Sequence, residues 1–312
     1  MRPARKTGAA GALNRRPEKK NEKEALMKIS ELYKNKKRSL SFEIFPPKKD
    51  TELSSIDETL KVLCELNPDF ISVTFGAGGS ANSNRTIEIA KNIKHNYGIE
   101  PVVHLTSLHY DKSEIDEFAK AMKEAEIENI LALRGDRNPT IAEKDDFHHA
   151  SDLIEYLKSK YDFCVLGACY PECHPESENK VSDMKGLKAK VDAGAEVLVS
   201  QLFFENQKFY DFQERCRIAG IDVPVIPGIM PVINANQIKR MISLCNASFP
   251  ERFCRIIRRY ENNSEALFDA GMSYCLSQII DLIADGIPGI HLYTMNNPKV
   301  ARRICDGIRN LV

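Results

Sequence analysis

The chain has 312 residues, of which 43% are hydrophobic and 28% charged, a globular balance with length enough for one large core. Lysine plus arginine number 44 and aspartate plus glutamate 44, so the net charge is zero and the positive excess that carries nucleic-acid binding is missing. No stretch approaches the ~20 apolar residues of a membrane span, no secretory signal follows the basic start, and nine cysteines in such a chain are expected to be reduced thiols of a cytoplasmic protein.

Residues 1–23 are rich in Arg, Lys, Gly, Ala and Asn and lack hydrophobic periodicity, so they are expected to form a flexible basic tail. Residues 24–312 are expected to form a single domain. Short β-branched or aromatic runs at 39–45, 70–75, 101–106, 129–134, 163–169, 196–203, 223–229 and 289–294 make eight strand candidates. Helical patterns fall between most of them. Ser54–Asn67 carries Ile56, Leu60, Leu63, Cys64 and Leu66; Ser113–Ala125 carries Ile115, Phe118 and Met122; Asp183–Ala193 is a third. Pro68, Gly98 and Gly194 stand near helix-to-strand junctions, and two more helices are expected around 234–245 and 264–284. Eight β-α units over ~280 residues fit a (β/α)8 TIM barrel. A doubly wound sheet would usually carry a glycine-rich phosphate turn after its first strand, where this chain has Phe45-Pro46-Pro47.

In a barrel the chemistry sits at the carboxyl ends of the strands, and these ends are polar throughout. They carry Glu43, Thr74, His104 with Thr106, Arg134-Gly135-Asp136, Tyr170 to His174, Ser200-Gln201, Pro227-Gly228 and Tyr293 to Asn296. Strand alternation puts Ser41, Glu43 and Phe45 on one face. Every other position from Phe42 to Pro47 is apolar, and a carboxyl partly withdrawn from water is suited to donate a proton near neutral pH. A solvent-facing edge glutamate explains the pattern equally well. Asp136 lies two residues from Arg134, which reads either as a local ion pair or as a carboxylate set near a charged or nitrogenous ligand. Gly76, Gly78 and Gly79 make a turn, without the flanking pattern of a phosphate loop. Asp183 and Lys190 share a helix face, the usual arrangement of solvated charge. Cys164, Cys169, Cys173 and His174 lack the spacing of a zinc site and read as structural thiols.

Taken together, Ser41–Pro47, Phe70–Ser80, Pro101–Thr106, Leu131–Asp136, Tyr170–Glu176, Lys188–Ala195, Gln201–Phe204, Ile226–Val232 and His291–Asn296 resemble, in order, the flavin-binding barrel of the methylenetetrahydrofolate reductase family. The resemblance implies FAD at the carboxyl ends of the strands, with NADH (or NADPH) and methylenetetrahydrofolate using it in turn, in a cytoplasmic homo-oligomer. It implies that Glu43 is the general acid and Asp136 a carboxylate near flavin and pterin. Thr74, His104, Leu133, Arg134, Gly135, His149, Ala150, Tyr170, His174, Asp183 and Lys190 match flavin contacts, with Arg134 and Lys190 facing the pyrophosphate. Gln201, Met241 and Tyr293 match substrate contacts. The chain departs from relatives at His149, where some have tyrosine; at Met241, where one has a stacking phenylalanine; and at Asn297, which replaces an arginine. A different flavin barrel, such as a proline dehydrogenase-like enzyme, or a folate- or flavin-binding subunit of a larger redox complex, are the alternatives.

Overall fold

The computed structural model describes residues 27–35, 38–47, 53–75, 80–234 and 247–311. In chain order the elements are α1 (Ile29–Asn35), β1 (Ser39–Ile44), α2 (Leu53–Glu65), β2 (Phe70–Val73), α3 (Ser80–Tyr97), β3 (Glu100–Thr106), α4 (Lys112–Glu124), β4 (Asn129–Leu133), α5 (Ala150–Lys160) and β5 (Cys164–Cys169). They continue with α6 (Lys180–Asp192), β6 (Val197–Ser200), α7 (Asn206–Ile218), β7 (Val225–Ile226), β8 (Gly228–Ile229), α8 (Glu251–Tyr260), α9 (Ser264–Ala284), β9 (Gly289–Tyr293) and α10 (Pro298–Ile308). All strand pairings are parallel, in the order β7-β6-β5-β4-β3-β2-β1-β9-β8. The two ends of that order, β7 and β8, flank Pro227 in the chain, so the sheet returns on itself as the expected TIM-type barrel.

The seventh strand is therefore split rather than continuous over 223–229. Proline has no N–H to give the ladder, while its carbonyl still accepts from His291 N at 3.0 Å. Strands buried on both faces read as near-continuous apolar runs, and β2 (Phe-Ile-Ser-Val) and β6 (Val-Leu-Val-Ser) are buried at every position. The inward side chains Phe70, Val102, Leu131, Leu166, Val197 and Ile226 form the barrel's own core. The outward ones, such as Ile44, Val73, Val103 and Leu105, form a second core with the surrounding helices. In α4, Ile115, Phe118, Ala119 and Met122 supply the buried stripe, and Asp111 with Glu114 closes a capping box at its start.

The helix predicted around 234–245 lies outside the described residues, and α9 matches the prediction at 264–284. Two helices were not expected. The short α1 seats Ile29 in the barrel's inner core. It is pinned there by Asn129, whose side chain accepts from Ile29 N at 2.7 Å and donates to Met27 O at 3.0 Å. In α8, Phe253 and Ile257 are buried, while four arginines face out and mask the apolar stripe in the sequence. The 21-residue α9 is long and apolar enough to cross a membrane by length and composition alone, contrary to the expectation that no stretch approaches such a span. It buries Met272, Cys275, Ile279, Leu282 and Ile283 as a core helix. The eight cysteines among the described residues are free thiols, and no cluster of metal-ligating side chains is found among those residues.

Candidate active site

A cavity of about 1100 Å3 opens at the carboxyl ends of β2 to β5. All twelve residues matched to flavin contacts line it: Thr74, His104, Leu133, Arg134, Gly135, Asp136, His149, Ala150, Tyr170, His174, Asp183 and Lys190. Glu43, Gln201 and Tyr293 are not in its lining; they stand on the neighbouring β6, β9 and β1 side of the mouth. Met241 and the Gly76, Gly78 and Gly79 turn lie outside the described residues.

The charged wall of the cavity differs from the sequence reading at two points. Arg134 does not pair with Asp136. Its guanidinium makes a two-pronged bridge to Glu176, with both N···O distances 2.7 Å. That bond holds the Glu176 carboxyl down at about 2 and raises the Arg134 guanidinium. Asp183 and Lys190 are not merely solvated. Asp183 accepts from His174 N at 3.3 Å and Ser177 Oγ at 3.2 Å, fixing the loop after β5. Lys190 Nζ donates to Ala168 O at 2.9 Å, and burial lowers its ammonium from the usual value. An ammonium has three N–H donors, so two remain for a ligand. His174 is also lowered, by burial and then by the Lys190 charge, and its ring stands edge-on to Tyr170 at 4.6 Å. Gly135 has φ +93, and a Cβ there would stand 3.0 Å from Thr106 Cβ. Asp136 is exposed at the rim, its carbonyl 3.2 Å from His109 Nε2.

Below the mouth a polar layer lies above the apolar floor. The β1 register sets Ser41 beside His291, and Glu43 beside both Ser72 and Tyr293. The Glu43 side chain is 20% exposed, and its Oε2 lies 3.5 Å from His104 Nε2 and 3.7 Å from His291 Nε2. It is thus an inward residue in contact with two imidazoles, not a solvent-facing edge glutamate. His104 is buried, its Nε2 has no hydrogen-bond partner among the described residues, and burial holds its imidazole below the usual value, against the opposing pull of Glu43. Thr294 Oγ1 donates to the Glu43 carbonyl at 2.8 Å, tying the end of β1 to the end of β9.

On the other side, Gln201 Oε1 accepts from Leu202 N at 2.9 Å, and its amide N–H groups make no hydrogen bond among the described residues. Tyr293 OH donates to Ser200 O at 2.7 Å, and Ser200 Oγ accepts from Gly228 N at 2.9 Å. This clamp joins β6, β8 and β9. His291 was missed by the sequence reading. The available signal was its place in β1's neighbour: one step before Leu292 in an otherwise apolar strand, on the same face as Tyr293. Glu176 was missed as well, since nothing in sequence puts it 42 residues back onto Arg134.

A parallel barrel with a large cavity across its carboxyl-end mouth, and a carboxyl flanked by two imidazoles beside it, is the arrangement of a barrel enzyme. The profile of the family described as methylenetetrahydrofolate reductase matches residues 28–309. The 5,10-methylenetetrahydrofolate reductase of Pectobacterium carotovorum is 36% identical over 296 residues, covering 93% of this chain and 96% of its own. That of Escherichia coli K12 is 35% identical over 87% of this chain and 91% of its own. Methylenetetrahydrofolate reductase (NADH) 1 of Arabidopsis thaliana is 34% identical over 88% of this chain, which spans 49% of the plant protein. The chain belongs to the methylenetetrahydrofolate reductase family. Among solved structures, a Clostridium thermocellum protein described as binding two copies of 5-methyl-5,6,7,8-tetrahydrofolic acid shares the fold, with TM-score 0.62 and 14% identity over 90% of this chain and 98% of its own.

Proposed function

We propose that the chain reduces 5,10-methylenetetrahydrofolate to 5-methyltetrahydrofolate, with FAD resident in the cavity and NADH, or NADPH, as electron source. The observation that carries this reading is Glu43, an inward carboxyl at the barrel mouth beside the cavity. The donor set of the cavity suits a large dinucleotide. Lys190 has two N–H groups to spare for a pyrophosphate, and Arg134 becomes available once Glu176 releases it. His104 Nε2 is a buried atom without a hydrogen-bond partner among the described residues, where the cavity meets Glu43. FAD would supply the hydride chemistry, taking electrons from the nicotinamide and giving them to the folate.

The side chains perform the rest. Glu43 Oε2 passes its proton to the bridging nitrogen of the folate's five-membered ring, and the ring opens to a cationic iminium. Asp136, on the facing rim, stabilises that positive charge. Gln201 donates its free amide N–H groups to the pterin, whereas Tyr293, whose hydroxyl is given to Ser200, serves as wall rather than donor. Preference for NADH agrees with the name of the Arabidopsis relative. The test is Glu43→Gln. It is expected to keep flavin binding and reduction by the nicotinamide but to lose folate turnover by about 100-fold, the scale of general acid catalysis. Near-normal folate reduction in this variant would remove Glu43 from the mechanism.

A further inference from the structure

Two cations of the cavity wall, Arg134 after β4 and Lys190 on α6, differ in how they are held. Lys190 Nζ gives one N–H to Ala168 O and makes no ion pair among the described residues. The nearby Arg134 charge contributes to lowering its ammonium, after burial. Arg134 is taken on both sides. Its Nε donates to Gly135 O at 3.1 Å, and its two terminal nitrogens donate to the two oxygens of Glu176 at 2.7 Å. A guanidinium binds a carboxylate and a phosphate with the same fork of N–H groups, so the two kinds of anion exclude one another there.

The pair is unevenly anchored. The Arg134 side chain is 19% exposed and that of Glu176 48%, so the carboxylate is the partner with water to turn into. The turn that carries Glu176 is fixed without it. Glu176 N donates to His174 Nδ1 at 3.1 Å and Ser177 N to His174 O at 3.0 Å, while Asp183 accepts from His174 N and Ser177 Oγ. The Glu176 carboxylate takes part in none of these bonds, and a rotation of its own side chain would leave the turn standing. The bond to Arg134 keeps that carboxyl ionised down to about 2, so a shift of pH near neutrality does not release it. Another anion can. A pyrophosphate offers oxygens to Arg134 and to the unspent N–H groups of Lys190, whereas Glu176 makes no bond to Lys190 among the described residues.

We infer that Glu176 is an internal competitor, whose carboxylate contends with the pyrophosphate of the dinucleotide for Arg134 and swings aside when that ligand seats. The inference rests on the reading of the cavity as the FAD site. Its consequence is a gain of function on removal: Glu176 lowers the apparent affinity by the fraction of time it occupies the guanidinium. The pair is two-pronged but half exposed, which sets the expected gain at about three- to tenfold rather than more.

The experiment is equilibrium titration of the full chain, stripped of flavin, with FAD at pH 7.5 and one ionic strength, followed by flavin fluorescence. Glu176→Gln keeps the shape of the side chain and removes its charge, and should lower the Kd for FAD by about three- to tenfold. The control is Glu143→Gln. Glu143 lines the same cavity and is paired with Arg137 at 2.8 Å, so this change removes an equal charge from the wall without freeing Arg134. It should move the Kd by less than about twofold, the scale of a screened surface charge. A Glu176→Gln protein that binds FAD within twofold of the parent, or more weakly, would overturn the inference and make Glu176 a support that orients Arg134. Equal tightening in both variants would overturn it as well, because the overall field of the cavity would then explain the gain. These results are distinct from failure of the cavity reading itself, which would show as no FAD uptake by the parent or by either variant and would overturn both.

Discussion

Gly228→Ala tests the clamp at the mouth of the barrel. A Cβ on Gly228 would stand 2.2 Å from Ser200 O and 2.6 Å from both Cε2 and the hydroxyl of Tyr293. The nearest atom is backbone in β6, and the tyrosine cannot swing away without breaking its own bond to the same Ser200 carbonyl. Overpacking of this kind costs about 1–3 kcal/mol, and a backbone obstacle places the site in the upper part, about 2–3 kcal/mol. At roughly 2–4 °C per kcal/mol for a domain of this size, the melting temperature should fall by roughly 4–12 °C. The control is Gly186→Ala in α6, where the new Cβ meets nothing within 4 Å. A helix interior favours alanine by about 0.5–1 kcal/mol, so the same change there should raise the melting temperature by roughly 1–4 °C. Far-UV circular dichroism on both variants, at one pH and buffer, reads the two signs. A Gly228→Ala protein that melts within about 2 °C of the parent would refute the close approach of β6, β8 and Tyr293.

Three further outcomes follow from the site. Asp136→Asn should slow folate reduction by about tenfold or more and nicotinamide oxidation less, as anaerobic half-reactions would show. Tyr293→Phe removes the donor to Ser200 O and should cost about 1 kcal/mol in denaturant unfolding, while folate turnover stays within about threefold. His104 gives a pH dependence of definite sign. Its folded imidazole is held below 6.5, so as pH falls below 6.5 the unfolded chain takes up a proton that the folded one resists. Stability from this group is full above 6.5 and is lost as pH drops toward the folded value; unfolding free energies measured from pH 7.5 to 5 should slope less steeply in His104→Gln.

The barrel was legible because parallel strands buried on both faces must be short apolar runs, and their polar carboxyl ends mark the mouth. Glu43 was visible as the lone carboxyl of such a run, yet its inward direction needed the register that places it beside Ser72 and Tyr293. The β7–β8 break follows from the missing N–H of Pro227, a local chemical fact that the β-branched pattern outweighed. Helix α8 escaped because Arg252, Arg255, Arg258 and Arg259 crowd its two buried positions, Phe253 and Ile257. The partners of Arg134 and His291 were illegible for a different reason: they come from segments 42 and 250 residues away, the first brought near by the pairing of β4 with β5 and the second by that of β1 with β9. Composition says nothing of such long-range pairs.

The central claim is that one protein takes electrons from a nicotinamide and delivers them to a folate through a flavin held in the cavity. Purified protein supplied with FAD should be yellow, bleach on anaerobic mixing with NADH or NADPH in a stopped-flow spectrophotometer, and regain its flavin absorbance when methylenetetrahydrofolate is added. Protein that takes up no FAD, or reduced flavin that methylenetetrahydrofolate leaves bleached, would contradict the account.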